Sequence, residues 1–377
     1  MTIKAVYFDD NAGGSLPDFS ACATSGFDVS MVTTPEQASA ALASGNAEVL
    51  VAATGSEPGT AIELLTGAAA AHPEVGRMAL TDHPTSLPPG SVHQYLVSPF
   101  DSEQLRVQML TTAYLRDRVP PATQERLRDG SVKLPALPEA YLRIQEALRS
   151  KDASVAGIGQ IIKQDPAVSI KVLQIVNSSL YGLRTEIGDI THAASLLGIN
   201  TLTALVLAVG VFKQVQGLDR RFIEELWRNS IAASGLARQI ARHEGLDRCQ
   251  VEASQLAALL HDIGDLVLMR NWRDEFAKVR PEHRDADEIT LFGASHADLG
   301  GYLCVLWGLP GPVIAAVAHH HHPALGGARV LGPTTVVHAA QALIEAGLDP
   351  HAARVDHDHL SALGYEGKLE TWASLAA

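Results

Sequence analysis

Five short apolar runs, separated by helix-forming stretches, constrain the amino-terminal part of this chain more than any other feature. The runs are KAVYF (4–8), DVSMV (28–32), EVLVAA (48–53), RMALT (77–81) and QYLVS (94–98), rich in residues that favour strands. Between them lie alanine-rich segments such as PEQASAALASG (35–45) and GTAIELLTGAAAAH (59–72), opened by Pro or Gly-Thr and carrying helical spacing. Strands that are apolar throughout need cover on both faces, and β-α alternation supplies it as crossover helices. Residues 1–117 are therefore expected to form a doubly wound parallel sheet, with functional groups at the carboxyl ends of its strands.

The alternation stops at AYLRDRVPPATQERLRDG (113–130), whose paired prolines and dense charge mark residues 118–133 as a linker or connecting helix. Beyond it, segments 139–150, 154–163, 167–179, 192–212, 222–243, 251–270 and 311–322 carry apolar residues at helical spacing. The expected fold class is α/β plus all-α. Apolar residues make up 46% of the chain and charged residues 19%, a globular balance that excludes wholesale disorder. A net charge of −13 argues against direct nucleic-acid contact, because phosphate backbones select basic faces. Cys22, Cys249 and Cys304 are scattered and odd in number, as in reduced thiols of a cytoplasmic protein. The start MTIKAVYFDD lacks a signal-like segment, and TLTALVLAVGVF (201–212) is too short to span a bilayer, so a cytoplasmic location without membrane insertion is expected.

The strand ends of the first part resemble those of response-regulator receivers, which have a flavodoxin-like fold. FDDN (8–11) matches the acidic pair that holds magnesium in that family, LT (80–81) the switch threonine, and VSPF (97–100) the lysine-proline corner. Two positions depart from the pattern. Ala53 stands where the phospho-acceptor aspartate would end the third strand, and Ser98 replaces the lysine. A methyl group cannot accept a phosphoryl group, and Asp9 and Asp10 without a third carboxylate make a weak cation site. The resemblance implies a pseudo-receiver that aspartyl phosphorylation does not switch.

The second part resembles the HD-related output domain (HDOD) family. LPALPEA (134–140), IIKQDPAVSIKVLQIVNSSLYGL (161–183), EIGDITHAASLLGINTLTALVL (186–207) and SHADLGGYLCVLWGLPGPVIAAVAHHHHP (295–323) carry the likeness. It places an all-helical HDOD bundle at 134–345, followed by a helical extension at 346–377. The same residues also have plain physical readings. Asp165 and Pro166 can open a helix whose Val168, Val172, Ile175 and Val176 form a core face. Asn177, Ser178 and Ser179 crowd its end, where they can satisfy unpaired backbone groups. Gly198 ends one helix before the next begins.

The HDOD family in turn resembles metal-dependent HD phosphohydrolases, in which histidines and aspartates hold the ion that activates water. Against that pattern, Asn229 occupies the first histidine position, the doublet survives as His261 and Asp262, and Asp265 stands where HD-GYP phosphodiesterases carry lysine. His296 fits, His320 and His321 align with the paired histidines of the HHHH run, and Gln341 replaces the late aspartate, with His338 nearby as a substitute. The candidate metal set is thus His261, Asp262, His296, His320 and His321, a vestigial mononuclear site for iron, manganese or zinc. The alternative is a hydrogen-bonded polar cluster that holds no metal. HDH (357–359) reads as an exposed helix start, and Trp227 and Trp307 as core.

The preferred reading is a non-enzymatic signalling protein that needs no cofactor. It would act through signalling-protein partners, with a nucleotide second messenger as an input and homodimerisation implied by the resemblance. The alternatives are a metal-dependent phosphohydrolase acting on a nucleotide or cyclic dinucleotide, and a module that binds cyclic di-GMP without cleaving it.

Overall fold

A computed structural model describes residues 2–9, 17–45, 47–54, 59–72, 74–81, 91–92, 94–98, 100–128, 131–149, 154–178, 185–214 and 218–376. Asp10, Ser179 and the LYGL that follows Ser179 lie outside the described residues. The chain forms two compact units: Met1–Val132 with Val279–His319 and Leu325–Gly327, and Lys133–Lys278 with His320–Ala324 and Ala328–Ala377.

The first unit contains a five-stranded parallel sheet. Its strands β1 (Ile3–Phe8), β2 (Phe27–Val32), β3 (Val49–Thr54), β4 (Gly76–Thr81) and β5 (Gln94–Val97) run in the order β2-β1-β3-β4-β5. That is the flavodoxin-like order, and it is consistent with a receiver-like domain. Alternate strand residues feed opposite faces. Ala5, Tyr7, Val49, Val51, Met78 and Leu80 pack with Phe19, Leu105 and Met109, while Val6, Phe8, Leu50, Ala52 and Ala79 pack with Leu42 and Leu65. Helices α1 (Ser20–Ala23), α2 (Pro35–Ala43), α3 (Gly59–Ala71) and α4 (Ser102–Arg118) accompany the strands.

Helix α4 starts at a capping box in which Asp101 and Gln104 bond reciprocally, and α5 (Pro121–Arg128) follows with Pro at its first position. The same unit includes α15 (Arg284–Phe292), α16 (His296–Leu306) and α17 (Gly311–Ala318), and α4 packs on both α16 and α17. Two glycines permit the approach. A Cβ on Gly301 would lie 2.8 Å from Ala318 Cβ, and one on Gly311 would overlap the Gln108 amide of α4.

The second unit is helical. It comprises α6 (Glu139–Arg149), α7 (Val155–Lys163), α8 (Pro166–Val176), α9 (Ile190–Leu197), α10 (Ile199–Lys213), α11 (Arg220–His243), α12 (Arg248–Leu260), α13 (Ile263–Asn271) and α14 (Arg273–Phe276). After the return from the first unit come α18 (Pro333–Glu345), α19 (His357–Ala362) and α20 (Leu369–Ser374). The 24-residue α11 packs on α12 and α18. Asp165 caps α8 by accepting from Ala167 and Val168 N–H, and Val168, Val172, Ile175 and Val176 are its buried face. As expected, Gly198 separates α9 from α10, with a φ of 89° that is open to glycine. The segment expected as one run over 251–270 instead divides, at His261 and Asp262.

Asn177 closes α8 by a reciprocal pair with the Ile187 backbone. Its Nδ2 donates to Ile187 O at 2.9 Å and its Oδ1 accepts from Ile187 N–H at 2.7 Å. Three readings change against the sequence. His359 of HDH is buried with its Nε2 2.9 Å from Thr335 Oγ1, although His357 and Asp358 are exposed as expected. Trp227 and Trp307 are half-buried rather than core, whereas Trp372 is fully buried and donates to Glu244 Oε1 at 2.9 Å. Among the described residues no single helix is long and apolar enough to cross a membrane.

Candidate metal centre

The His-Asp doublet sits at the junction of two helices. His261 ends α12 with helical angles, whereas Asp262, at φ −96° and ψ 18°, leaves the helix and holds the N-cap position of α13 without a side-chain cap bond. Its carbonyl accepts from Asp265 N–H at 3.0 Å, which starts the new helix. Both side chains are buried.

The ring of His261 has one nitrogen assigned by its surroundings. Nδ1 lies 2.8 Å from Ala258 O, so it carries a proton and donates. Nε2 faces Asp262 Oδ2 at 3.1 Å. A neutral ring would there set a lone pair against a carboxylate oxygen, so a proton or a metal cation must lie between them. Burial opposes a charged ring, but the Asp262 charge and its hydrogen bond, then the Ala258 carbonyl and Glu345, outweigh it and hold the pKa above the ordinary histidine value.

The turn after residue 319 brings two more rings to this point. His320 Nε2 is 3.6 Å from Asp262 Oδ1, its ring centroid is 5.1 Å from that of His261, and the His321 ring is 4.1 Å from that of His320. One ligand atom each from Asp262, His320 and His321 lie within 4.8 Å of one another. A carboxylate with two imidazoles suits iron, manganese or zinc in its donor chemistry, so these residues fit such an ion. His319 of the same run turns elsewhere, with its ring edge-on to Tyr114 at 4.3 Å in the first unit.

The late helix contributes less. Gln341 Nε2 donates to Glu345 Oε1 at 2.8 Å along α18. His338, which the sequence offered as a substitute ligand, has both nitrogens engaged: Nδ1 donates to His320 O at 2.6 Å and Nε2 accepts from Asp356 N–H at 2.8 Å. It is a fixed neutral ring, and burial pulls its pKa down to about 4. Asn229 is half-buried on α11.

His296 belongs to the first unit, at the start of α16, where Glu288 of α15 holds it. Glu288 Oε2 accepts from the His296 backbone N–H at 2.7 Å and faces Nδ1 at 2.6 Å, and Oε1 accepts from Arg284 Nε at 3.1 Å. Burial would raise the Glu288 pKa, but the His296 charge and hydrogen bonds, together with Arg284, keep it below the usual carboxylate value. The anion fixes a proton on Nδ1 and so orients the ring, the way carboxylates orient metal-binding histidines. Sequence reasoning missed Glu288. Eight residues before His296 and across a turn at Gly293, it gives no periodic signal.

At the strand ends of the first unit, Ala53 is the next-to-last residue of β3, beside Leu80 of β4, Ser98 is exposed, and Asp9 Oδ2 accepts from Tyr7 OH at 2.9 Å.

A flavodoxin-like domain joined to a helical segment with a buried His-Asp doublet defines a class, and comparison makes it specific. Residues 134–323, half of the chain, match the HDOD domain model; the chain belongs to the HDOD family. An uncharacterized protein of Treponema pallidum (strain Nichols) is 27% identical over 195 residues, covering 50% of this chain and 38% of that protein. The alignment thus spans well under two thirds of that relative. Two solved structures share the fold. An HDOD domain protein of unknown function from Geobacter sulfurreducens is 20% identical, with a TM-score of 0.50, covering 70% of this chain and 98% of that one. A protein of Shewanella amazonensis SB2B, provisionally named a metal-dependent phosphohydrolase, is 19% identical, with a TM-score of 0.51, covering 71% and 100%.

Proposed function

We propose that the protein is a signal-transduction protein in which a phosphorylation-deficient receiver-like domain and a non-hydrolytic HDOD domain act through contacts with other signalling proteins in the cytoplasm. The observation that carries this reading is α18. Where a late ligand would come from, Gln341 turns to Glu345 and His338 has both nitrogens in bonds with backbone groups. Ala53 supports it from the other domain, since the position that matches the phospho-acceptor aspartate carries only a methyl group.

A second reading, a metal-dependent phosphohydrolase acting on a nucleotide or cyclic dinucleotide, is favoured by the convergence of Asp262, His320 and His321 and by the His261–Asp262 contact. Metal analysis of protein purified without chelators, paired with assays on cyclic dinucleotides and a model phosphodiester, separates the two. The proposal expects no turnover with added iron, manganese or zinc. Turnover that His261→Ala abolishes, with stoichiometric metal, replaces it by the second reading.

A further inference from the structure

Helix α8 has a buried face at Val168, Val172, Ile175 and Val176, and on its exposed side an apolar residue, Ile170, stands beside Lys171 and Gln174. Ile170 is 57% exposed there. It forms one wall of an open groove of about 430 Å³, whose other walls include Phe212 of α10 and Ile223 and Trp227 of α11. Trp227 is half-buried, with its ring 4.8 Å from that of Phe212. Half-exposed aromatic rings in an apolar concavity are the composition of protein-binding hot spots, which favour Trp at a centre that excludes water.

Charge narrows the occupant. The groove is lined by Lys171 and Lys213 against Glu224, a positive rim in a chain of net charge −13. Lys213 is shared with Asp165 at 2.9 Å and Glu224 with Arg220 at 2.6 Å, whereas Lys171 makes no ion pair among the described residues. A small-molecule site would enclose most of its ligand, but here the main apolar wall, Ile170, stands open to solvent. Such an open apolar trough between helices suits an amphipathic helix anchored at i, i+3/i+4 and i+7.

We propose that this groove docks an amphipathic helix of a partner protein, with its apolar stripe on Ile170, Phe212 and Trp227 and a flanking carboxylate on Lys171. The proposal rests on the reading of action through protein contacts, and its test involves no hydrolysis, so the two fail separately.

A random peptide display library selected on the full chain, with the Ile170→Glu protein as counter-selection, provides the probe. Enriched sequences should share the helical apolar spacing and a flanking acid. By fluorescence anisotropy the best peptide should bind Ile170→Glu at least about tenfold more weakly. Lys171→Glu should weaken it several-fold, and replacing the peptide's flanking acid with lysine should restore binding to that variant. Circular dichroism and thermal melts check that these exposed changes leave the fold intact. No enrichment, enrichment without the acidic helical pattern, or equal affinity for Ile170→Glu overturns the proposal. A concentration-dependent dimer that Ile170→Glu dissolves assigns the groove to a second copy and also overturns it. So does saturable dodecanoate binding that Ile170→Glu abolishes, in favour of a small aliphatic acid.

Discussion

Asn177 lies in the stretch that most strongly carries the family likeness, and the structure gives it a structural task that can be weighed. Its amide makes both a donated and an accepted bond with the backbone of Ile187, a residue with 1% of its surface exposed. Asn177→Ala removes both bonds and leaves an N–H and a carbonyl that water reaches poorly. Each lost bond costs about 1 kcal/mol, and each stranded buried group up to about 3, so a loss of about 2–4 kcal/mol is expected. Asn177→Asp discriminates further. Its carboxylate still accepts from Ile187 N–H but faces Ile187 O with no proton to share, so near neutral pH it recovers only part of the loss. Protonated, it can donate again. Its folded pKa is therefore raised above the ordinary aspartate value, and the recovered stability is present at low pH and lost as pH rises through that folded pKa. Because the chain forms two compact units, the assay is amide hydrogen exchange at α8 and α9, which reads local stability without requiring all-or-none unfolding. Protection in Asn177→Ala within about 0.5 kcal/mol of the parent would refute the reasoning and leave ligand or partner contact as the role of this residue.

Three further outcomes are expected. His338 is held neutral with a pKa of about 4 against about 6.5 unfolded. Its contribution is complete above the unfolded value and fades as pH falls toward 4, about 2 kcal/mol between pH 7.5 and 5; urea midpoints should fall over that range, and less in His338→Gln. Glu288→Ala removes the carboxylate that accepts from the buried backbone N–H and Nδ1 of His296, and should cost about 3–5 kcal/mol by thermal unfolding; a loss below about 1 kcal/mol contradicts the pairing. Gly301→Leu must push α16 off α17, since even a Cβ there would meet Ala318 at 2.8 Å, and should cost about 3 kcal/mol or more, with reduced soluble yield.

Period-based reasoning worked where one face of an element is wet and failed where none is. Asp165–Pro166 and the Val168 face were legible because α8 is amphipathic, and Gly198 because only glycine relieves its backbone. The division at residues 261–262 was not. Ala257 to Leu260 and Ile263 to Leu268 are all buried, so apolar residues run on through the break and no period marks it. The packing of α4 on α16 and α17 was equally hidden, because an apolar helix face does not name its partner and a glycine such as Gly311 gains meaning only beside Gln108. His359 shows the same limit at smaller scale: three consecutive side chains span about 200° of a helix, and the third turns to the buried side here.

That hidden break is where the doublet meets. In an unbroken helix, successive side chains diverge by about 100° around the axis, so neighbours at i and i+1 do not face one another. His261 keeps helical angles and Asp262 leaves them, and at this junction the carboxylate lies 3.1 Å from Nε2. The carbonyl of Ala258 removes the remaining ambiguity by fixing the proton on Nδ1, so Nε2 and Asp262 must share a cation. If the cation is a proton, the doublet is an internal ion pair that satisfies a buried carboxylate, and the HDOD framework keeps it for packing. If it is a metal, His320 and His321 stand beside it as ligands. The ¹⁵N shifts of the His261 ring distinguish the two: an imidazolium with both nitrogens protonated places a proton on Nε2, and a ring protonated at Nδ1 alone, with an Nε2 shift that a chelator moves, places a metal there.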